Sequence, residues 1–216
     1  MQKNSIKLNI GCGPTGQIKG FVNLDNSPSV ILSRFPHIKN IAYNLGMITE
    51  EQFRANWSGV IKCDASKRLP YKDNSVDQIY SSHFLEHIPY NKGISTLAEC
   101  YRVLKNGGVF RLVLPDLLWH AENYVKETKK ILSNNALPDD RSAHDKFLWT
   151  IYGAYLEKKR FGAEHCYMYD FPTIINILKK IGFKKLHSAK FKDGTNKELA
   201  QYDSRPEDSM YIEAIK

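Results

Sequence analysis

The chain has 216 residues, of which 42% are hydrophobic and 25% charged, a balance typical of a folded globular protein and not of a disordered one. No apolar run approaches the length of a membrane-spanning helix, which excludes such a span from the prediction. The formal charge of +8 is explained either by solvated helix faces or by an acidic partner, such as a nucleotide sugar or a lipid-linked glycan. Nucleic acid is the least favoured partner, because no basic cluster interleaves with aromatic residues.

The N-terminal residues 1–5 are polar and run almost directly into the first predicted strand, so we expect no signal peptide. The four cysteines are scattered through the chain without the spacing of metal ligands: Cys12, Cys63, Cys100 and Cys166. Reduced thiols of this kind indicate a cytoplasmic protein.

The first strand, Lys7–Ile10, runs straight into the glycines of a G-x-G-x-x-G pattern at Gly11, Gly13 and Gly16. Glycines at these positions let the backbone approach a ligand closely. A second strand, Phe21–Asp25, follows and ends in an acid. In a parallel sheet, an acid at this place can accept hydrogen bonds from both hydroxyls of a ribose. The pattern therefore predicts a nucleoside-type ligand.

The spacing between the glycines and the acid indicates which nucleoside. Asp25 follows Gly11 by 14 residues, whereas a dinucleotide site needs about 20 because a helix holds the pyrophosphate. Pro14 and Gly20 further break the interval. A ligand with a ribose and no phosphate fits better, and S-adenosylmethionine is the common one. A nicotinamide-dependent dehydrogenase remains the alternative.

The segment 26–58 is irregular and longer than a crossover between strands requires, so it is interpreted as a lid, a substrate wall or a decorated crossover. Thr49 is predicted to cap a helix within it, with Gln52 completing the capping box. Further strands are predicted at 59–63, 76–82, 109–114, 183–191 and 209–215. Helices are predicted at 94–104, stopped by 105–108, at 171–181, stopped by Gly182, and twice within 117–159, with a break near 133–138.

This alternation of strands and helices predicts a doubly wound α/β domain whose ligand crevice lies at the carboxyl ends of the strands. The candidate ligand residues all fall at such ends: Gly11 to Gly13, Asp25, Asp64, Ser82 and Asp116. Asp64 is equally explained as a helix cap or a turn aspartate.

These residues resemble the class I S-adenosylmethionine-dependent methyltransferases. The likeness rests on residues 8–13, 23–25, 64–65, 73–80, 83–87 and 99–108. It is greatest to small predicted methyltransferases linked to surface-polysaccharide synthesis, whose C-terminal parts are similar to Glu164–Asp170. The resemblance implies a Rossmann-like, seven-stranded, mostly parallel sheet with the last strand antiparallel.

The resemblance also implies a single domain spanning 1–216, with the insertion at 26–58 and a helical acceptor-side segment at about 117–170. S-adenosylmethionine would bind to the glycine turn, the acids at the strand ends and the chain after the fourth strand. The residues predicted to contact the cofactor are Gly11, Cys12, Gly13, Asp25, Asn26, Asp64, Ala65, Ser82 and His83.

Methyl transfer from a sulfonium needs mainly proximity and alignment, but a hydroxyl acceptor also needs a general base. His87, Asp116 and His165 are the candidates, and for each a merely structural role stays open. The predicted reaction is methylation, at oxygen, of a small-molecule or glycan-like acceptor. A non-catalytic relative that only binds the cofactor is a further alternative.

Residues His83 to His87 also spell H-x-x-E-H, a motif of zinc peptidases. Such a site needs one helix that presents both histidines, together with a third ligand. Pro89 interrupts any such helix, because proline is tolerated only near a helix start. We therefore predict no catalytic metal on this motif.

Overall fold

Seven strands of the described residues form one sheet, in the order β3-β2-β1-β4-β5-β7-β6. The computed structural model describes residues 5–134, 143–153 and 164–216. The strands are β1 Lys7–Ile10, β2 Val22–Asp25, β3 Val60–Lys62, β4 Val76–Ser82, β5 Leu104–Pro115, β6 Lys185–Ala189 and β7 Ser209–Ile215. The first five strands in sheet order, β3, β2, β1, β4 and β5, pair in parallel. Strand β7 runs antiparallel to both β5 and β6. The predicted fold class is confirmed.

Eight helices in the described ranges surround this sheet. They are α1 Pro28–Leu32, α2 Pro36–Asn44, α3 Glu50–Arg54, α4 Tyr90–Val103, α5 Leu117–Ser133, α6 Ala143–Tyr152, α7 Phe171–Ile181 and α8 Lys197–Ala200. Thr49 and Gln52 form the predicted capping box at the start of α3. None of the described helices is long and apolar enough to cross a membrane. The predicted helix break at 137–138 and the end of the second helix at 159 lie outside the described residues.

The connection from β1 to β2 consists of turns, and residues 11–21, all of them described, contain no helix. Two buried asparagines hold this connection in place. Asn9 Nδ2 donates to Asn23 Oδ1 (2.8 Å) and to the carbonyl of Gly16 (2.7 Å), while Asn23 Oδ1 also accepts from the Ile18 amide (2.9 Å). Because these bonds satisfy buried polar groups, they fix the turn without a helix.

The two faces of the sheet carry separate hydrophobic clusters. On one face, apolar residues of α4 and α7 pack on the central strands, as the helical spacing predicts. On the other face, a smaller cluster contains Ile18, Tyr80, Val113, Leu199 and Tyr211. The sheet thus lies between two packed layers, with its strand ends free for a site.

Two predicted boundaries were wrong. Helix α4 begins four residues earlier than predicted, at Tyr90, directly after Pro89. Residues 105–108, predicted as the stop of that helix, belong to β5. The Gly107 amide donates to the carbonyl of Lys216 (3.0 Å), and Gly107 has a φ of +78°. Gly107 and Gly108 therefore lie in the irregular first part of strand β5.

Candidate active site

A cavity of about 530 Å³ opens at the carboxyl ends of β1, β2 and β4, and we refer to it as the strand-end cavity. Its size is within the usual range for a small-molecule site. Six residues predicted from the sequence line it, five for the cofactor and one as a base: Gly11, Gly13, Asp25, Asn26, His83 and His87. The structure therefore brings together residues from three strand ends that are far apart in the sequence.

The glycine turn forms the floor of the strand-end cavity. Gly11 and Gly13 have φ values of +69° and +57°, in the left-handed region that favours glycine. A Cβ added to Gly11 would lie 2.1 Å from Cγ of Phe84, whereas one added to Gly13 would meet no atom within 4 Å. Gly11 is therefore needed for close packing, while Gly13 leaves open space toward the cavity.

Asp25 joins the turn to the end of β2. Its Oδ2 accepts from the Gly13 amide (2.8 Å) and its Oδ1 from the Ser27 amide (2.7 Å). A carboxylate has about four acceptor sites, so each oxygen retains capacity for a ligand hydroxyl. Lys62 Nζ donates to the carbonyl of the neighbouring Asn26 (2.7 Å), which fixes the chain where it enters α1.

Four residues predicted to contact the cofactor are not among those that line the strand-end cavity: Cys12, Asp64, Ala65 and Ser82. Cys12 is buried in a cluster with Val30, and burial raises the pKa of its thiol to about 12. Asp64 Oδ1 accepts from Oγ (2.6 Å) and from the amide (3.1 Å) of Ser66, and these bonds hold the pKa of its carboxyl below the usual range. These contacts are those of a turn aspartate.

The segment 26–58 contributes further residues to the lining of the strand-end cavity. Thr49 and Gln52, the two residues of the capping box, both line it, as does Trp57. Trp57 is 8% exposed, and its buried Nε1 has no hydrogen-bond partner among the described residues. The sequence pattern did not reveal this indole, because its signal, an aromatic residue three positions before β3, is not specific.

The residues after β4 form a tight turn and not a long helix. His83 has a φ of +49°, and Leu85–His87 is a single 3-10 turn that ends before Pro89. His83 Nε2 lies 2.9 Å from Ser209 Oγ, so this ring is tied to β7. The interruption of the H-x-x-E-H motif that was predicted from Pro89 is confirmed.

This turn places Glu86 and His87 beside His165, which follows 78 residues after His87. The centroids of the His87 and His165 rings are 4.9 Å apart. Ligand-type atoms of Glu86, His87 and His165 all lie within 4.8 Å of one another. This group, which we call the Glu-His-His cluster, differs from the H-x-x-E-H trio because it replaces His83 with a residue of the 164–170 segment.

Backbone hydrogen bonds hold the 164–170 segment against the turn. The amides of Cys166 and Tyr167 both donate to the carbonyl of Glu86, at 2.6 and 3.2 Å. The His165 amide donates to the carbonyl of Tyr152 at the end of α6 (3.3 Å). The position of His165 is therefore determined by two separate elements.

The electrostatics of the cluster favour a charged Glu86 carboxylate. Burial alone would raise the pKa of the Glu86 carboxyl, but His83 and His87 outweigh it and hold this pKa below the usual range. Burial lowers the pKa of His165, so its ring is neutral at pH 7.

Asp116, the third candidate base, caps a helix. Its Oδ1 accepts from the amides of Leu118 (3.0 Å) and Trp119 (3.3 Å) at the start of α5. Asp116 does not line the strand-end cavity. Its observed contacts are those of a helix cap, the structural role that stayed open for it.

Comparison with known proteins agrees with this geometry. Residues 8–112 match the model of a family described as a methyltransferase domain, and they span β1 through most of β5. The structure is also similar to solved S-adenosylmethionine-dependent methyltransferases. One from Archaeoglobus fulgidus is 17% identical, with a TM-score of 0.54 over 100% of this chain and 87% of the other. One from Mesorhizobium loti is 18% identical, with a TM-score of 0.53 over 99% and 91%.

A third such methyltransferase, from Methanosarcina mazei, is 17% identical, with a TM-score of 0.52 over 100% of this chain and 94% of the other. No curated protein matches the chain. At these identities the solved structures establish the shared fold. The match to the methyltransferase domain covers residues 8–112, just under half of the chain, and nothing among these comparisons favours a dehydrogenase.

Proposed function

We propose that the protein transfers the methyl group of S-adenosylmethionine to a hydroxyl oxygen of a small-molecule or glycan-like acceptor. The observation that supports this most is the strand-end cavity, which is lined by Asp25 and the glycine turn together with His87. One side of that cavity suits a ribose and the other a polar acceptor.

The residues of the cavity fit the cofactor chemically. The Asp25 oxygens each accept one described backbone bond and can accept more from the two ribose hydroxyls. The unpartnered Nε1 of Trp57 is a donor for a ligand oxygen, since buried polar groups are normally hydrogen-bonded. When bound, the cofactor supplies a methyl group bonded to a positively charged sulfur. The sulfur leaves as a neutral thioether and needs no activation.

The acceptor side is polar. Thr49 and Gln52 contribute polar side chains to the lining of the cavity, as does His87 from the turn after β4. His87 Nδ1 lies 3.0 Å from the carbonyl of Glu164, so Nδ1 is the donor and Nε2 carries the free lone pair. A hydroxyl near that nitrogen could pass its proton there as the methyl group is transferred.

The glycan-like nature of the acceptor rests on the resemblance of the 164–170 segment and on the charge of the chain. A net charge of +8 favours an acidic acceptor, such as one that carries phosphate or uronate groups. A role in surface-polysaccharide synthesis is proposed on the same grounds.

Calorimetric titration with S-adenosylmethionine and S-adenosylhomocysteine tests the cofactor assignment. Asp25→Ala removes the ribose acceptor and should weaken binding by about 1.5–3 kcal/mol, roughly 10- to 150-fold, as for hydrogen bonds to a charged group. Glu207→Ala, which removes an exposed carboxylate, is the matched control and should bind as the parent does. Tight binding of a nicotinamide dinucleotide, with no binding of either sulfur compound, would sink the proposal.

A further inference from the structure

The Glu-His-His cluster converges on one point from two distant parts of the chain. Glu86 and His87 come from the turn after β4, and His165 comes from the segment after α6. One ligand-type atom from each lies within 4.8 Å of the other two. In a metal site with bonds of 2.0–2.2 Å, such atoms lie roughly 3 Å apart, so small side-chain rotations would close the distance.

The hydrogen bonds of the two imidazoles direct their lone pairs away from the backbone. His87 Nδ1 lies 3.0 Å from the carbonyl of Glu164, and His165 Nδ1 lies 2.5 Å from the carbonyl of Thr150. A carbonyl oxygen can only accept, so both Nδ1 atoms carry hydrogen and both Nε2 atoms are free to bind. Histidines that bind metals are oriented in this way, with the other ring N–H held by a carbonyl or a carboxylate.

Glu86 is an independent indication of a cation site. Its side chain is 1% exposed, and neither carboxylate oxygen has a hydrogen-bond partner among the described residues. His83 Nδ1 lies 3.3 Å from Oε1, and His87 Nε2 lies 3.9 Å from it, both without hydrogen-bond geometry. In the described ranges no lysine or arginine pairs with this acid. A buried carboxylate that accepts no hydrogen bond from its two neighbouring imidazoles is costly, and a bound cation would satisfy it.

We propose that Glu86, His87 and His165 bind one divalent first-row transition-metal ion. Two imidazole nitrogens and one carboxylate suit manganese, iron, cobalt or zinc, whereas magnesium and calcium prefer sites made of oxygen alone. The sequence alone predicted no metal, because Pro89 prevents one helix from presenting the H-x-x-E-H motif. The Glu-His-His cluster needs no long helix, and the His83 ring remains hydrogen-bonded to Ser209.

The consequence for catalysis rests on the proposed function. His87 lines the strand-end cavity, so a metal held on its Nε2 would border the side proposed for the acceptor. Such a metal would lower the pKa of a bound acceptor hydroxyl, which would lose its proton to solvent, and the oxygen would bond to the methyl carbon as the carbon–sulfur bond breaks. His87 would then be a metal ligand in place of the base proposed for the metal-free site.

Cobalt(II) is the probe, because its visible absorption reports nitrogen and oxygen ligands without any need for the acceptor. The protein is stripped with a chelator and titrated with cobalt(II), manganese(II) or zinc(II), with calorimetry alongside. We expect about one metal per chain, a rise in Tm with metal concentration, and at least tenfold weaker binding in Glu86→Gln and His165→Ala. His187→Ala, an exposed histidine on β6, is the control and should bind as the parent does.

Two results would overturn the site: no metal bound up to millimolar concentration, or binding equal in the parent and in both cluster variants. Should His165→Ala fail to fold, Glu86→Gln, which preserves the shape of the side chain, decides alone. Binding of S-adenosylmethionine is measured on the same samples. A protein that binds this cofactor and no metal contradicts the metal site alone, and one that binds metal and no cofactor contradicts the proposed function.

Discussion

Gly11 shows how one missing Cβ shapes the candidate site. Its φ of +69° is strained for other residues, and Phe84 occupies the space where a side chain would begin. Because Phe84 directly precedes the 3-10 turn that carries Glu86 and His87, the packing at Gly11 connects the glycine turn to the Glu-His-His cluster. A substitution at this residue should therefore affect the stability and the site together.

We predict that Gly11→Ala is more harmful than Gly20→Ala. Both positions have a positive φ, which costs an alanine about 1–2 kcal/mol, but an added Cβ at Gly20 would meet nothing within 4 Å. The clash with Phe84 should add about 1–3 kcal/mol of overpacking. Urea unfolding measures the difference, and Phe84→Gly in the Gly11→Ala background, which also removes the Phe84 Cβ at 2.4 Å, should recover part of it. Equal losses in the two single variants would refute the role of the aromatic contact.

Helix α7 shows how local signals set the bounds of an element. The hydrophobic spacing predicted 171–181, which is the observed range, and Gly182 ends the helix with a φ of +123°. Asp170 caps the start by accepting from the Thr173 amide (2.8 Å). Hydrogen bonds from Thr173 hold the pKa of this carboxyl below 3.8, its ordinary value. The helix therefore has an acid-sensitive cap beside the segment that carries His165.

Asp170→Ala should destabilise the protein by about 1 kcal/mol at neutral pH, the usual cost of losing an N-cap. Because the pKa is lower in the folded state, the charge of the cap contributes stability above pH 3.8 and loses it as the pH falls through the folded value. The difference between the parent and the variant should shrink accordingly in acid. Asp170→Asn retains a capping side chain without the charge, so it should lose less stability. A difference between parent and Asp170→Ala that is independent of pH would contradict this account.

At the scale of the whole molecule, a buried ion network ties the C-terminal strands to the parallel sheet. Arg111 on β5 is fully buried, and its guanidinium donates to Glu213 (2.7 Å) on β7 and to Asp203 (2.6 Å) after α8. Burial opposes the charge of Arg111, but these two carboxylates outweigh it and raise its pKa. The network holds three distant parts of the chain, and each of its charges depends on the others.

Arg111→Met should cost about 3–5 kcal/mol, because it leaves two buried carboxylates without their partner. Arg68→Met is the matched control: this arginine is largely exposed, 3.9 Å from Asp73, and its loss should cost less than about 1 kcal/mol. Replacing Asp203 and Glu213 by leucine in the Arg111→Met background should restore part of the stability. Equal midpoints of urea unfolding for the two arginine variants would contradict the prediction.

Local patterns in the sequence determined most of the fold. Strand β1, the glycine turn and the acid at the end of β2 are adjacent in the chain, and the pattern of apolar residues and glycines specifies them without distant partners. The spacing from Gly11 to Asp25 correctly predicted a connection without a helix. The meeting of Gly11, Asp25 and His83 at one edge follows from parallel strands, because their carboxyl ends lie together.

Only the tertiary structure decided which side chains meet across long intervals. His165 joins Glu86 and His87 because two amides of its segment bind the carbonyl of Glu86, a contact that no periodicity encodes. Arg111 occupies a position in an apolar strand whose sequence predicts only burial, and its partners lie 92 and 102 residues away. Such pairings depend on where the loops place their residues against the sheet. That placement is stabilised by many small contacts spread over the whole chain, which no local pattern of residues reveals.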